Sequence, residues 1–339
     1  MLTGQHPELD PHEFGLGAFA TTRLDCLGEE DPHAHVREVT AALLPLLRPR
    51  PDLLVVQGDT SSALGAALAA FTTGVPVAHV EAGLRTHDPS LPWPEEEYRT
   101  AIDARADLLF APTATAGANL RAERVAGQIH VTGNSGIDSL LAAERRLPRP
   151  KLHDRRVPRL LVTCHRRESW GDGLKSIAAA LVELAGDARI DVVLHPNRHV
   201  ASLLRSLLGS VPEISLVEPC THAELVRRMR DADLILSDSG GIQEEAPALG
   251  TPLLVLREKT ERPEVIATGN ARLVGTTSAA IIAEARRLLR DPVARAAMSQ
   301  PAFPYGEGHA GRRIAAIIEQ WLAERSGPAC AAGGRGPLG

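Results

Sequence analysis

Short apolar runs recur along the chain, and segments with helical periodicity separate them. Runs of Val and Leu without polar alternation are typical of parallel strands that are covered on both faces. The predicted strands are residues 53–56, 75–80, 107–110, 160–164, 191–194, 234–236 and 253–256. The predicted helices are residues 61–71, 95–106, 113–124, 171–186, 222–231 and 278–289. This alternation predicts an α/β fold with doubly wound parallel sheets.

A polar, proline-rich segment, RRLPRPKLHDRRVPR at residues 145–159, divides this pattern into two halves. It lacks periodicity and is typical of a linker. We therefore expect Rossmann-like domains at residues 1–150 and 151–310, with a ligand in the cleft between them, at the carboxyl ends of the strands. A last helix within residues 311–325 is expected to pack back across the linker. The composition of residues 326–339 predicts a disordered tail.

The composition argues against several classes of protein. A chain of 339 residues is long enough for two domains. Its net charge of −5 argues against nucleic-acid binding. It has no apolar run of membrane-spanning length, and its start lacks a secretory signal pattern. Its four cysteines form no CxxC pair, which predicts neither a disulfide framework nor a zinc site. We expect a reduced, cytoplasmic protein.

The segment DLILSDSGGIQEEAPALGTPLLVL, residues 233–256, carries the strongest chemical signal. Its pattern predicts a strand, a tight turn, a short helix and a second strand. A helix that starts at such a turn presents unpaired backbone N–H groups and a positive dipole end to a phosphate. The predicted phosphate contacts are Ser239, Gly240 and Gly241. In the alternative interpretation, Ser239 only caps the helix and the glycines only make the turn.

Two carboxylates follow this turn. Glu244 and Glu245 lie about one helical turn later, where an acidic side chain can accept hydrogen bonds from a ribose. Pro247 falls inside the predicted helix and is expected to kink or shorten it. The segment therefore predicts a nucleoside diphosphate ligand.

Three further carboxylates lie at the ends of predicted strands or at the start of a predicted helix in the first half. Asp59 and Glu81 each end a predicted strand, and Glu95 opens a helix after Pro94. Carboxylates gathered in one cleft suit general acid–base catalysis, because crowding and burial separate their pKa values. The alternatives are local: Asp59 caps the next helix, Glu81 pairs with Arg85, and Glu95 belongs to an ordinary acidic first turn.

Basic side chains follow strand ends in the second half. His165 and Arg166 come directly after the predicted strand at residues 160–164, and together they suit a phosphate. The alternative is a solvated basic turn. Arg262 follows a later strand and is a further candidate for the same anion, and His195 ends another strand.

Other cofactor chemistries lack their sequence signals. The chain has neither a G-x-G-x-x-G nor a Walker A motif. Neither Tyr98 nor Tyr305 is followed four residues later by lysine, which argues against a short-chain dehydrogenase type of epimerase. His33 and His35 are interpreted as solvated side chains of an acidic loop rather than as metal ligands.

A set of motifs occurs in a fixed order along the chain: GDT (58–60), HVEAGLRT (79–86), PWPEE (92–96), TGN (132–134), HRRES (165–169), SDSGGIQEEAP (237–247) and TERPE (260–264). This set resembles the non-hydrolysing UDP-N-acetylglucosamine 2-epimerases, and the resemblance runs from TGQH at Thr3 to Ile314. It implies the two-domain GT-B fold of glycosyltransferases.

The resemblance also implies an activity, the interconversion of UDP-N-acetylglucosamine and UDP-N-acetylmannosamine for surface polysaccharide. UDP is eliminated across C1–C2 to give 2-acetamidoglucal and is then added back. No metal or nicotinamide is required, and a homodimer is expected. By motif match the catalytic residues are Asp59, Glu81, Glu95 and His165. The substrate contacts are Arg85, Arg166, His195, Ser239, Gly240, Gly241, Glu245 and Arg262.

The sequence departs from the family pattern in two places. Members of the family carry a strand, a GTRPE-like loop and a helix before TGQH, whereas Met1 lies two residues before it here. We hypothesise that the natural start lies upstream or that the chain is a degenerate copy; an upstream reading frame encoding such a loop would support the first. CLGEEDPHAHV at residues 26–36 stands where the family usually has a Pro-Gly-Gln loop, which helps to bind a second, activating substrate molecule in bacterial members. The sequence therefore leaves activation by substrate open.

Two functional alternatives stay open at this point. A GT-B glycosyltransferase would share the nucleotide site of the second half but has no need for the three carboxylates. An inactive homologue that only binds UDP-sugar is the other alternative. The hydrolysing epimerases match the PWPEE and VEAGLR segments less well.

Overall fold

Two parallel β-sheets with helices on their faces form the framework of the chain. A computed structural model describes residues 16–26, 31–148, 157–164 and 171–326. In these ranges the first sheet has four strands in the order β1-β2-β3-β4. They are β1 (Leu54–Gln57), β2 (Val77–Val80), β3 (Leu108–Ala111) and β4 (Gln128–Val131). The accompanying helices are α1 (Pro32–Leu43), a 3₁₀ helix (Leu44–Leu47), α2 (Ser61–Thr73), α3 (Glu95–Asp103), α4 (Ala114–Ala122) and α5 (Ser135–Arg146).

The second sheet has six described strands in the order β10-β9-β8-β5-β6-β7. They are β5 (Arg159–Thr163), β6 (Arg189–Val193), β7 (Ile214–Val217), β8 (Leu234–Ser237), β9 (Leu253–Val255) and β10 (Ala271–Leu273). The helices are α6 (Asp172–Leu184), α7 (Arg198–Leu208), α8 (His222–Asp231), α9 (Gly240–Ala248), α10 (Pro263–Ala267), α11 (Ser278–Arg290), α12 (Pro292–Ala297) and α13 (Ala310–Ser326).

The second sheet has a topological switch point between β5 and β8. The chain builds outward from β5 to β7 and then returns to the other side of β5 with β8. Thr163 and Ser237 are in register there, with their hydroxyl oxygens 2.6 Å apart. Ligands of doubly wound sheets bind outside the carboxyl ends of the strands at such a point. The turn that follows β8, with Ser239 and the two glycines, lies at this position.

Alternate residues of the buried strands face different helix layers. In β5, Leu160 and Val162 belong to a core cluster with residues of α6, α7 and α11. Leu161 belongs to another cluster, with residues of α5, α8 and α9. Both faces of the sheet are therefore covered, which explains apolar runs without polar alternation.

The two halves exchange elements. Ile137 and Leu140 of α5 pack in the core cluster beside the second sheet, although the predicted first domain includes them. Ile314 and Trp321 of α13 pack with Phe110 and neighbouring residues of the first sheet. The domain boundary at residue 150 stays a prediction, and the predicted tail at 326–339 lies almost entirely outside the described residues.

The doubly wound α/β fold class is confirmed, and each predicted strand is present. The pattern missed β4, β7 and β10, which lie at sheet edges among the described strands. The edge strand β4 reads Gln-Ile-His-Val and is only partly buried, so it has no continuous apolar run. Pro247 lies in the last turn of α9, which ends at Ala248. None of the described helices is long and apolar enough to cross a membrane.

Candidate active site

Polar contacts join the carboxyl ends of the first sheet to loops of the second half. The Arg262 Nη2 donates to Glu81 Oε1 at 2.8 Å. The hydroxyl of Thr113 donates to Glu264 Oε1 at 2.5 Å. The Lys259 ammonium lies 2.5 Å from Asp88 Oδ2. These contacts define a cleft in which residues of both halves face each other.

Asp59 enters the cleft from the turn after β1. Gly58 makes this turn with φ +68, a left-handed conformation that favours glycine. Thr60, rather than Asp59, caps α2, because its hydroxyl accepts the Ala63 N–H at 3.1 Å. The Asp59 carboxylate instead contacts the Arg99 guanidinium. The structure therefore does not support the capping alternative for Asp59.

Glu81 enters the cleft from the end of β2. Its φ is +72, a left-handed conformation that costs energy in a residue with a Cβ and is often found at functional sites. A Cβ placed on Gly58 would lie 3.5 Å from Glu81 Oε2, so this carboxylate lies beside the turn that carries Asp59. Burial raises the pKa of Glu81; the Arg262 guanidinium opposes this shift and the Asp59 charge adds to it. A carboxyl group with a raised pKa is suited to general acid–base catalysis.

One face of α3 carries functional side chains at intervals of four residues. Glu95, Arg99 and Asp103 follow this spacing, which aligns them along a helix. Glu95 begins the helix, and Arg99 contacts Asp59. The neighbouring Glu96 supports the preceding loop, since its Oε1 accepts the Thr86 N–H at 2.9 Å. The spacing therefore places Glu95 on the same face of α3 as Arg99, and its catalytic role stays a prediction.

The predicted phosphate site is the start of α9. Ser239 precedes the helix, but its side chain does not cap it. Its own N–H donates to the Ser237 hydroxyl at 3.0 Å. The first N–H groups of an α-helix lack partners within the helix, so they are suited to an anion. Gly240 is buried here, whereas Gly241 is exposed.

The two glycines of this turn have different surroundings. A Cβ on Gly240 would lie 2.6 Å from Nη1 of Arg262, while the nearest atom to a Cβ on Gly241 is 4.0 Å away. Arg262 cannot move freely, because carboxylates surround its guanidinium.

We expect substitutions of these glycines to change stability in opposite directions. Gly240→Ala should lower the free energy of unfolding by about 1–3 kcal/mol through overpacking against Arg262. Gly241→Ala should raise it by up to about 1 kcal/mol, because alanine favours a helix. Urea unfolding followed by circular dichroism measures both changes. Equal effects in the two variants would contradict the packing of Arg262 over Gly240.

Arg262 lies at the centre of a buried charge cluster. Its Nε donates to Glu244 Oε1 at 2.7 Å, its Nη2 to Glu81, and its Nη1 to Glu261. Arg257 also donates to Glu261, at 2.8 Å. Three carboxylates and two guanidiniums carry a net charge of −1 when all are ionised. Burial raises the pKa of Glu244 to about 8. The excess charge favours a proton on Glu244 or Glu81.

Arg85 lies in a buried ion-pair network rather than beside Glu81. Its Nη2 is 2.8 Å from Asp103 Oδ2, and its Nε and Nη2 each donate to the Glu123 carboxylate at 2.7 Å. Its side chain is 2% exposed. The structure therefore contradicts the local pairing of Glu81 with Arg85. A substrate-binding role for Arg85 stays a prediction, and these contacts give it no open position in the cleft.

Other predicted substrate contacts are more accessible. Glu245 lies on α9 and is 2.8 Å from the Nε2 of His222, whose pKa this hydrogen bond raises. His195 follows β6, and its Nδ1 accepts the Asn197 N–H at 2.9 Å. When its ring is neutral, His195 therefore carries the ring proton on Nε2. The ribose-binding role of Glu245 and the substrate-binding role of His195 stay predictions.

His165 and Arg166 lie outside the described residues. The sequence interpretation also omitted several side chains that the structure brings into the site. Glu244 was considered only as a ribose ligand, whereas its Oε2 accepts the Asn134 amide at 2.6 Å and its Oε1 accepts from Arg262. Arg99 and Asp103 could have been predicted to share a helix face with Glu95, because the three residues are spaced four apart on α3.

The interpretation of His35 as a solvated side chain was wrong. This residue is 1% exposed, and its Nδ1 lies 2.6 Å from the Ser61 hydroxyl. It points inward from α1 because the helix buries Val36 and Val39 on the same side of the fold. His33 is more exposed, and its ring packs edge-on against Trp93 and Tyr98.

Comparisons with known proteins identify the family of the chain. The family model described as UDP-N-acetylglucosamine 2-epimerase matches residues 1–319. The UDP-N-acetylglucosamine 2-epimerase of Salmonella typhimurium is 42% identical over 341 residues, which cover 94% of this chain and 90% of that protein.

Two solved structures are similar to the whole fold. The crystal structure of UDP-GlcNAc 2-epimerase from Neisseria meningitidis bound to UDP-GlcNAc has a TM-score of 0.88 and 35% identity, and covers 94% of this chain and 90% of that one. The Methanocaldococcus jannaschii enzyme in complex with UDP-GlcNAc and UDP has a TM-score of 0.81 and 31% identity, covering 91% and 87%.

Proposed function

The chain belongs to the UDP-N-acetylglucosamine 2-epimerase family, and on this premise we propose that it interconverts UDP-N-acetylglucosamine and UDP-N-acetylmannosamine. The observation that carries the proposal is the contact between Glu81 and Arg262 across the cleft. It joins an acid–base group of one half to the rim of a predicted phosphate site in the other.

The chemistry requires acid–base groups and a site for the leaving group. The C2 hydrogen of the sugar is not adjacent to a carbonyl carbon, so enolisation cannot remove it. Elimination of UDP across C1–C2 gives 2-acetamidoglucal, and re-addition with protonation from the other face inverts C2. Asp59, Glu81 and Glu95 are the groups we assign to these proton transfers. Their approach from three separate elements supports proton transfer on both faces.

The second half supplies the proposed diphosphate site. The free N–H groups at the start of α9 would receive the phosphates. Arg262 lies directly over Gly240 at this start, so a bound diphosphate would share its guanidinium with Glu81. Such competition would weaken the stabilisation of ionised Glu81 and favour its protonated form. His165 and Arg166 complete the proposed leaving-group contacts on the basis of the sequence.

We further propose the non-hydrolysing reaction, a homodimeric assembly, a cytoplasmic location and a role in surface polysaccharide synthesis. The glycosyltransferase alternative is not favoured, because a glycosyltransferase has no need for the acid–base carboxylates of the first half, one of which, Glu81, contacts Arg262. Family membership and the match across the chain also favour the epimerase.

Incubation of the purified chain with UDP-N-acetylglucosamine tests the proposal. We expect UDP-N-acetylmannosamine to accumulate to a constant ratio, as resolved by chromatography. Release of free N-acetylmannosamine with UDP would identify a hydrolysing enzyme instead. Turnover that depends on an added sugar acceptor would identify a glycosyltransferase. Binding of UDP without turnover would contradict the proposed activity.

A further inference from the structure

We propose that the buried pair His79–Asp103 is a positioning element that holds together the loops carrying Asp59 and Glu81. The inference rests on the proposed function, since it assigns these loops to acid–base catalysis. Both members of the pair are completely buried, so neither is available to touch a substrate. Their effect on the reaction would pass through the loops that they fix.

His79 reaches the first of these loops. It lies on β2, between Val56 of β1 and Leu109 of β3 in the register of the sheet. Its Nε2 is 2.9 Å from the carbonyl oxygen of Gly58, the residue that precedes Asp59. A carbonyl oxygen only accepts hydrogen bonds, so this ring nitrogen carries a proton. The bond fixes the left-handed turn at Gly58.

Asp103 reaches the second loop. One carboxylate oxygen, Oδ2, accepts the Gly83 N–H at 3.0 Å, two residues after Glu81. Gly83 is itself confined, because a Cβ there would lie 2.3 Å from the carbonyl oxygen of Ala116. The other oxygen of Asp103, Oδ1, is 2.6 Å from Nδ1 of His79. A continuous chain of hydrogen bonds therefore links the two catalytic loops through the pair.

The geometry also favours a doubly protonated ring on His79. The Nε2 of His79 must donate to Gly58, and its Nδ1 faces a carboxylate, so an imidazolium satisfies both contacts. Burial by itself lowers the pKa of His79, but the Asp103 charge and both hydrogen bonds raise it overall. Among the described residues, the charged groups around the pair include Asp59, Glu81 and Arg85. The His79 charge also opposes the rise that burial causes in the pKa of Glu81.

Asp103→Asn tests the inference, because it keeps the side-chain volume but removes the charge that holds the second proton on His79. We expect kcat for epimerisation to fall by roughly 10²-fold with KM changed less than about threefold, as expected when catalytic groups shift by about 1 Å. The acid limb of the kcat profile should move to higher pH. His79→Gln keeps a donor for the Gly58 carbonyl but loses the donor to Asp103. It should therefore show the same large fall in kcat with little change in KM.

A purely structural role would leave the pH profile unchanged. The matched control is Asn270→Ala, since Asn270 is also buried and bridges two backbone carbonyls, those of Met298 and Gln300, away from the cleft. We expect this control to lower the melting temperature while the kcat of the folded enzyme and its pH profile stay unchanged. Wild-type kcat and pH profile in Asp103→Asn, or the same kinetic loss in the control, would overturn the inference.

A spectroscopic measurement separates failure of the inference from failure of the proposed function. Wild-type protein should show downfield imidazole N–H proton resonances from both ring nitrogens of His79 at about pH 6, below the ordinary pKa of histidine, and Asp103→Asn should lose the Nδ1–H signal. An inactive wild-type enzyme would refute the proposed function, and these signals would still be readable. Absence of a doubly protonated His79 in the wild type would overturn the inference even in an active enzyme.

The pair also predicts a pH dependence of stability. The folded-state pKa of His79 is raised above 6.5, so its contribution is fully present below pH 6.5 and is lost as pH rises through the folded-state value. The pKa of Asp103 is lowered from 3.8 despite burial, because His79 and Arg85 stabilise its charge, so its contribution is lost as pH falls. The difference in melting temperature between wild type and Asp103→Asn should therefore be largest between pH 4 and 6.5 and shrink at alkaline pH.

Discussion

Glu81→Gln is expected to lower kcat for epimerisation by roughly 10³-fold while leaving the protein folded. The amide keeps the size of the side chain but cannot take up the sugar proton. Stability should not fall, because the cluster around Arg262 loses its excess negative charge when Glu81 becomes neutral. The measurements are initial rates with UDP-N-acetylglucosamine and the melting temperature of each protein.

A matched control is Asp187→Asn. Asp187 also accepts hydrogen bonds from arginine, 2.7 Å from Arg286 Nε and 3.0 Å from Arg290 Nη2, but on the surface of the second half. We expect this variant to retain the wild-type kcat. If Glu81→Gln retained more than about a tenth of the wild-type kcat, Glu81 would not be an essential proton-transfer group.

Arg262→Met is expected to lower the free energy of unfolding by about 3–5 kcal/mol, because it leaves buried carboxylates without their shared cation. The guanidinium donates to Glu81, Glu244 and Glu261, and Arg257 donates to Glu261 as well. The contact between the halves at Glu81 would be lost as well. The urea midpoint and the apparent melting temperature should both fall.

A second substitution tests whether charge causes this loss. Glu244→Gln in the Arg262→Met background removes one buried carboxylate and should recover part of the stability. In the wild-type background the same substitution should have a smaller effect, because Glu244 has a raised pKa and is easily protonated. An unchanged urea midpoint in Arg262→Met, or no recovery in the double variant, would contradict the cluster as described.

The sequence was sufficient to predict the framework and the edge of the sheets where the site lies. Continuous apolar runs identified the central strands, and parallel strands bring their carboxyl ends to one edge. Asp59, Glu81 and Ser239 were therefore placed correctly relative to their strands. Edge strands such as β4 were not predicted, because a partly exposed strand can contain polar residues and then has no continuous apolar run.

The partners of these side chains could not be predicted from spacing. The local alternative paired Glu81 with the nearby Arg85, but Glu81 contacts Arg262, which lies 181 residues away in the chain. Arg85 instead contacts Asp103 and Glu123. The packing of the two halves decides these choices, and a local pattern carries no information about it. The contacts of His79 could not be predicted either, because the sequence shows only a polar residue inside a buried strand.

The measurement that tests the central claim most directly is proton NMR of UDP-N-acetylglucosamine incubated with the purified chain in D₂O. The account predicts UDP-N-acetylmannosamine with deuterium at C2, because the C2 proton is removed and replaced from solvent. It also predicts deuterium in the recovered UDP-N-acetylglucosamine. UDP-N-acetylmannosamine that keeps its original C2 proton, or the absence of both exchange and product, would contradict it.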